Sequence, residues 1–178
     1  MHELYYTPLD IATILSGMDL SAKEESRLLD LIWEQESAFL DPEYRNNRRQ
    51  LILKTAYWSH YLFDKPAIDA EFPVVEKALL SARITLSKEE YVSDFLGLDL
   101  FFKSIRIRML YDPKKKFVRI KLRTLLRKYG YRRRSPQLVQ YLNYCLQFYH
   151  LHPYLRGKEQ CEISDIDLDD WIVFRKIG

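Results

Sequence analysis

The chain has 178 residues, 47% hydrophobic and 30% charged, enough for one sizeable core or two small ones and too apolar for a disordered chain. Its net charge of +3 conceals an asymmetry: residues 1–98 carry 10 Lys or Arg against 17 Asp or Glu, a balance of −7, and residues 99–178 carry 18 against 8, a balance of +10. No apolar run approaches the roughly 18 residues of a membrane span and no secretion leader is recognisable, so a soluble, cytoplasmic protein without membrane contact is expected.

The acidic part, 1–98, is expected to be a helical domain. Thr7, Pro8 and Asp10 supply an N-cap, a preorganised first turn and a favourable charge for a short helix ending near Gly17. Ser21 with Glu24 is a capping-box pattern, and Leu28, Leu31 or Ile32, Gln35 and Phe39 trace the stripe of the helix that follows. Asp41 and Pro42 reset the chain. Leu51, Thr55, Trp58 and Leu62 then revisit one face of a long helix, whose aromatics are expected to pack on the preceding one. A further helix is expected around "FPVVEKALLSARI", another after the Ser87 and Glu90 capping box, and Gly97 is placed as its terminator. The whole reads as a bundle of four or five helices.

The basic part, 99–178, has a different local grammar. In "SIRIRMLY", Ile105, Ile107 and Met109 alternate with Arg106 and Arg108, which predicts a strand, in competition with a helix continuing from "DLFFK". "DPKKK" reads as a turn and "FVRI" as a brief strand. Leu122, Leu125, Leu126 and Tyr129 define the apolar face of a short helix stopped by Gly130. Ser135 and Pro136 start the next helix, which gathers Leu138, Val139, Leu142, Cys145, Leu146 and Tyr149 on one side. Its other side carries Gln137, Gln140, Tyr141, Tyr144, Gln147 and Phe148, polar and aromatic but uncharged. Beyond Pro153, "YLRGKEQCEI" is expected to form a strand, a loop at "GKEQ" and a returning strand, and "WIVFRKI" a final strand or short helix.

This order of short strand, helix, basic turn, helix and hairpin, over Phe117 to Ile177, resembles a winged helix-turn-helix domain. The fold class expected for the chain is thus mainly α with a small β component, a helical bundle followed by a winged-helix-like α/β domain. The resemblance implies binding of DNA, sometimes of RNA, and in some members protein contacts alone.

From Lys103 to Lys158 there are 16 basic residues and one acid, Asp112, whereas an ordinary soluble surface mixes both signs. Nucleic-acid binding is therefore the leading expectation, with double-stranded DNA favoured over RNA. Arg132, Arg133 and Arg134 precede the second helix, Lys121, Arg123, Arg127 and Lys128 extend the charge along the first, and Lys114, Lys115 and Lys116 lie on a nearby loop; all are assigned to phosphate. Arg106, Arg108, Arg119, Arg156 and Lys158 would enlarge the patch. Gln137 and Gln140 are assigned to base edges, since glutamine pairs with adenine in the major groove, and Tyr144, with Tyr141, to stacking or sugar contact. The competing readings are a solvated face, contact with the acidic N-terminal part, or an adaptor or inhibitor that binds an acidic protein. A homodimer through the N-terminal helices is a further expectation.

Chemistry is expected to be absent. His60, His150 and His152 fall in no metal-binding motif, and Cys145 and Cys161 match neither CxxC nor a zinc signature. His60 and Asp64 stand four residues apart but lack a third group. Asp165, Asp167 and Asp169 would share one face of a strand, the basis of the least favoured reading, a metal-dependent nuclease. No catalytic residue, metal or cofactor is assigned.

Overall fold

Local capping chemistry starts the helices of the acidic unit. The computed structural model describes residues 4–63, 97–112, 114–155 and 160–177. In α1 (Pro8–Ser16) the Thr7 hydroxyl accepts from the Asp10 amide at 3.2 Å and Asp10 accepts from the Thr7 amide at 2.9 Å. Ser21 and Glu24 close the same box ahead of α2 (Ala22–Gln35), and each box stabilises its helix by about 1 kcal/mol. The inward stripe of α2 is Leu28, Leu29 and Ile32, with Leu31 half-buried and Gln35 exposed. The expected stripe is therefore rotated by about one residue.

Phe39 closes a short 3-10 turn, Ser37–Phe39, and its carbonyl accepts from the Tyr6 amide at 2.8 Å, which ties the start of the chain to the connection after α2. Helix α3 (Arg48–Phe63) buries Leu51, Thr55 and Trp58 as their spacing predicts. It lies chiefly against α1 rather than on the preceding helix; its link to α2 includes the Arg48–Asp30 ion pair at 2.5 Å. The remaining helices expected for this bundle, the Ser87 capping box, Leu62's side chain and Asp64 lie outside the described residues.

Two compact units divide the chain, Met1–Val92 and Ser93–Gly178. The second begins its described part at Gly97, which has φ +85° and caps α4 (Leu98–Tyr111). This helix overturns the strand expected at "SIRIRMLY". Leu98, Phe101, Phe102, Ile105 and Met109 recur at three- and four-residue intervals and are all buried, so the alternation at 105–109 is a fragment of a longer helical stripe. Two cations go inward with that stripe. Lys103 is buried and paired with Asp99 at 3.0 Å, and Arg106 donates to the Tyr149 carbonyl at 2.5 Å. Neither enlarges a surface patch, contrary to expectation for Arg106.

After α4 come β1 (Phe117–Lys121), α5 (Leu122–Lys128), α6 (Pro136–Phe148), β2 (Leu151–Tyr154) and β3 (Trp171–Lys176). The strands form an antiparallel sheet in the order β1-β3-β2, with Ile120 opposite Ile172 and Pro153 opposite Phe174. The hairpin return expected at "CEI" is not a strand: Gln160 forms only an isolated bridge to Tyr154, and Ile163–Asp165 is a 3-10 turn. "WIVFRK" supplies the return instead, and "GKE" lies outside the described residues. One face of the sheet packs on the helices. Phe174 lies edge-on to Phe101 and Phe102, with centroids 6.0 and 5.5 Å apart, and such pairs add about 1 kcal/mol each to the area they bury.

The chain is thus mainly α with a small β component: six α-helices and three strands among the described residues. Among those residues no helix is long and apolar enough to cross a membrane.

Candidate nucleic-acid interface

The α5–α6 junction is set by two local signals. Gly130, at φ +83°, ends α5, and the Ser135 hydroxyl accepts from the Leu138 amide at 3.2 Å to start α6 with Pro136 in its first turn. The inward side of α6 matches the expected face: Leu138, Leu142, Cys145, Leu146 and Tyr149 are buried and Val139 half-buried. Outward stand Gln137, Gln140, Tyr144 and Gln147, all exposed, with Tyr144 at 46%. Tyr141 departs from the expected polar face. The residue is half-buried and its hydroxyl is buried, so it is not offered for stacking.

Arg134, Gln140, Asn143, Tyr144, Gln147 and Ser164 line an open depression of about 620 Å³ along α6. Asn143 belongs to it as well, because it lies three residues beyond Gln140 and four before Gln147.

The basic run separates into exposed charges and charges held by carboxylate or carbonyl partners. Arg132, Arg133, Arg127 and Lys128 are exposed, and Arg132 and Arg133 lie just before the N-terminus of α6. Arg134 is different: its Nη1 donates to the Ile163 carbonyl at 2.8 Å and also to the Ile166 carbonyl. It holds the connection between β2 and β3 rather than presenting a free guanidinium. Arg123 is likewise engaged, with Nε and Nη2 bonded to the two carboxylate oxygens of Asp169 at 2.8 and 2.7 Å. That hydrogen bond raises the Arg123 pKa and holds the Asp169 carboxyl below its usual range.

Lys114, Lys115 and Lys116 are exposed on the turn after α4, where Asp112 accepts from the Lys114 amide at 3.0 Å. Lys121 and Arg119 stand on the sheet, near the Trp171 ring. Arg108 is exposed on α4, and Arg156 and Lys158 lie outside the described residues.

The aspartates do not share a strand face. Asp165 closes the 3-10 turn, Asp169 is bound by Arg123, and Asp170 accepts from the Asp167 amide at 3.1 Å. Turn-forming hydrogen bonds and the arginine pair organise this loop, not a ladder. Among the described residues no three His, Cys, Asp or Glu side chains are grouped as a metal site. His60 is exposed on α3, His150 occupies the turn after α6 at φ +49°, and His152 lies in β2 with Nδ1 3.3 Å from Gln160 Nε2. Burial pushes the Cys145 thiol up to about 12, which leaves it protonated and unreactive at neutral pH.

Sequence reasoning missed Trp171, Phe117 and Tyr154, which share the open face of the sheet with Arg119 and Arg175. Their alternation with buried Ile172 and Phe174 was the available signal. No protein-family model matches the chain, and no curated protein or solved structure matches it.

Proposed function

We propose that the protein binds nucleic acid, double-stranded DNA in preference to RNA, through the α5–α6 junction, without covalent chemistry and in the cytoplasm. The observation that carries this reading is the exposed, uncharged row Gln137, Gln140, Tyr144 and Gln147 on a helix whose N-terminus is flanked by exposed Arg132 and Arg133. Cations beside a helix N-terminus favour phosphate, and glutamines on the adjoining face suit base edges. The order α4-β1-α5-α6-β2-β3, with β3 between β1 and β2, supports the winged-helix resemblance.

In this reading Arg132, Arg133, Arg127, Lys128 and the Lys114–Lys116 turn neutralise phosphate, and Gln137 and Gln140 select sequence. Arg123 and Arg134 shape the surface instead of contacting the backbone. The acidic unit serves dimerisation or recruits a partner. An adaptor that binds an acidic protein is the alternative, favoured by the exposure of Tyr144 beside the depression on α6.

Electrophoretic mobility of short mixed-sequence DNA and RNA duplexes at about 50 mM salt tests the reading. Binding that weakens steeply as salt rises, and more weakly for RNA, is expected. Replacing Arg132 and Arg133 should lower affinity across sequences, and replacing Gln137 or Gln140 should change preference more than affinity. Failure to shift either duplex sinks the reading in favour of the adaptor.

A further inference from the structure

Strand alternation gives the sheet two unlike faces. Ile172, Phe174 and Leu151 are buried on one. The other turns Phe117, 52% exposed, and Trp171, 39% exposed, toward solvent, together with Tyr154, Arg119, Lys121 and Arg175. The solvated face of a half-buried antiparallel sheet is ordinarily polar, and two exposed aromatic rings depart from that pattern.

The cations of this face lie over its rings. The Arg119 guanidinium is 4.3 Å and the Lys121 ammonium 5.6 Å from the Trp171 centroid, and the Arg175 guanidinium is 5.0 Å from that of Tyr154. No carboxylate occupies an outward position of the three strands. Asp169, which bears on Lys121 from beyond the sheet, is already bound by Arg123.

We propose that this face is a stacking platform for the unpaired bases of a single-stranded nucleic acid, distinct from the α6 surface. Its uncompensated positive charge fits a polyanion, and aromatic rings interleaved with arginines accept any base, because every base has a π face and a guanidinium plane extends the stack. A duplex is a poor occupant. Its base faces are already stacked, and its major groove admits a helix or a two-stranded ribbon, not the broad face of three strands. Phe117 pairs with Arg175, four positions along β3 from Trp171, so the two exposed rings stand about 13 Å apart along the strands, room for two or three nucleotides.

The full chain is titrated into end-labelled oligo(dT) and oligo(U) at about 50 mM salt and followed by fluorescence anisotropy, with a duplex titrated in parallel. The two homopolymers separate DNA from RNA as the source of the bases, and binding to at least one is expected. Phe117→Ala and Trp171→Ala should each weaken it about tenfold, Trp171→Phe should retain most of it, and duplex affinity should move less than about twofold. Arg119→Glu, expected to weaken it at least as much, serves as the variant if circular dichroism shows the aromatic variants unfolded. The proposal is overturned if the wild type binds neither homopolymer, if Trp171→Ala and Arg119→Glu bind with wild-type affinity, or if single-strand and duplex binding fall equally. Loss of duplex binding alone counts against the α6 reading and leaves this one standing.

Discussion

Arg134 Nη1 donates to the Ile163 carbonyl at 2.8 Å and to the Ile166 carbonyl, so the last arginine of the "RRR" run fastens a loop about thirty residues further along the chain. Charge-assisted bonds to carbonyls stabilise by roughly 1.5–3 kcal/mol, whereas substitution of exposed residues usually changes stability by less than about 0.5 kcal/mol. Arg134→Ala is expected to lower stability by about 2 kcal/mol in urea denaturation, and Arg132→Ala and Arg133→Ala to leave it nearly unchanged. Equal losses at all three positions would contradict the division of roles.

Asp169 withholds Arg123 from solution anions through a two-pronged bond. Asp169→Asn removes one negative charge and frees the guanidinium. Tighter duplex binding is expected, with the log–log salt slope steeper by about one. The bond from Arg123 lowers the Asp169 pKa, so its stabilising contribution is present above the unfolded carboxylate value and is lost only as pH falls through the lower folded one. Binding measured between about pH 6 and 8 should show no step from Asp169.

Gly97 and Gly130 share a positive φ but not the same surroundings. A Cβ at Gly97 would stand 2.9 Å from two ring carbons of Tyr129, and one at Gly130 would meet nothing within 4 Å. Gly130→Ala should cost about 1 kcal/mol for the left-handed backbone alone. Gly97→Ala should cost at least about 1 kcal/mol more, since the ring must move. Paired thermal melts of the two variants read the difference.

The two cysteines should separate in a thiol-labelling time course. Burial raises Cys145 to about 12, about a thousandfold less thiolate than at its ordinary 9, while Cys161 is half-buried with its pKa also raised. One thiol per chain is expected to react in the folded state at pH 8 and the second only on unfolding. Tyr129 is likewise pushed up to about 12 by burial, with Asp99 adding to the effect. Both folded values lie above the unfolded ones. Their stabilising contribution is therefore complete below about pH 9 and is lost as pH rises toward 12, and melting temperature should decline over that window.

Helix starts were legible because capping is local. Thr7 with Asp10, Ser21 with Glu24, and Ser135 with Leu138 each act across three residues, a separation that sequence spacing reports directly. The strand misreading at 105–109 has a local cause too. Ile105, Ile107 and Met109 satisfy a two-residue period and part of a helical one, and Phe101 and Phe102 decide between them only when the longer stripe is followed. The aspartates of 165–169 misled for the same reason, since alternation over five residues does not distinguish a strand from a chain of turns.

By itself the sequence determined the mainly helical class, the α5–α6 junction and the uncharged outer face of α6, because each follows from neighbours within a turn or two. Only the tertiary structure decided which positive charges are free. Lys103 and Arg106 are buried, Arg123 is claimed by a residue 46 positions away and Arg134 by carbonyls 29 and 32 positions away, separations at which spacing carries no information. Strand pairing likewise brought Phe117 and Trp171 onto one face, because register is a relation between distant segments and each strand alone shows only its own alternation.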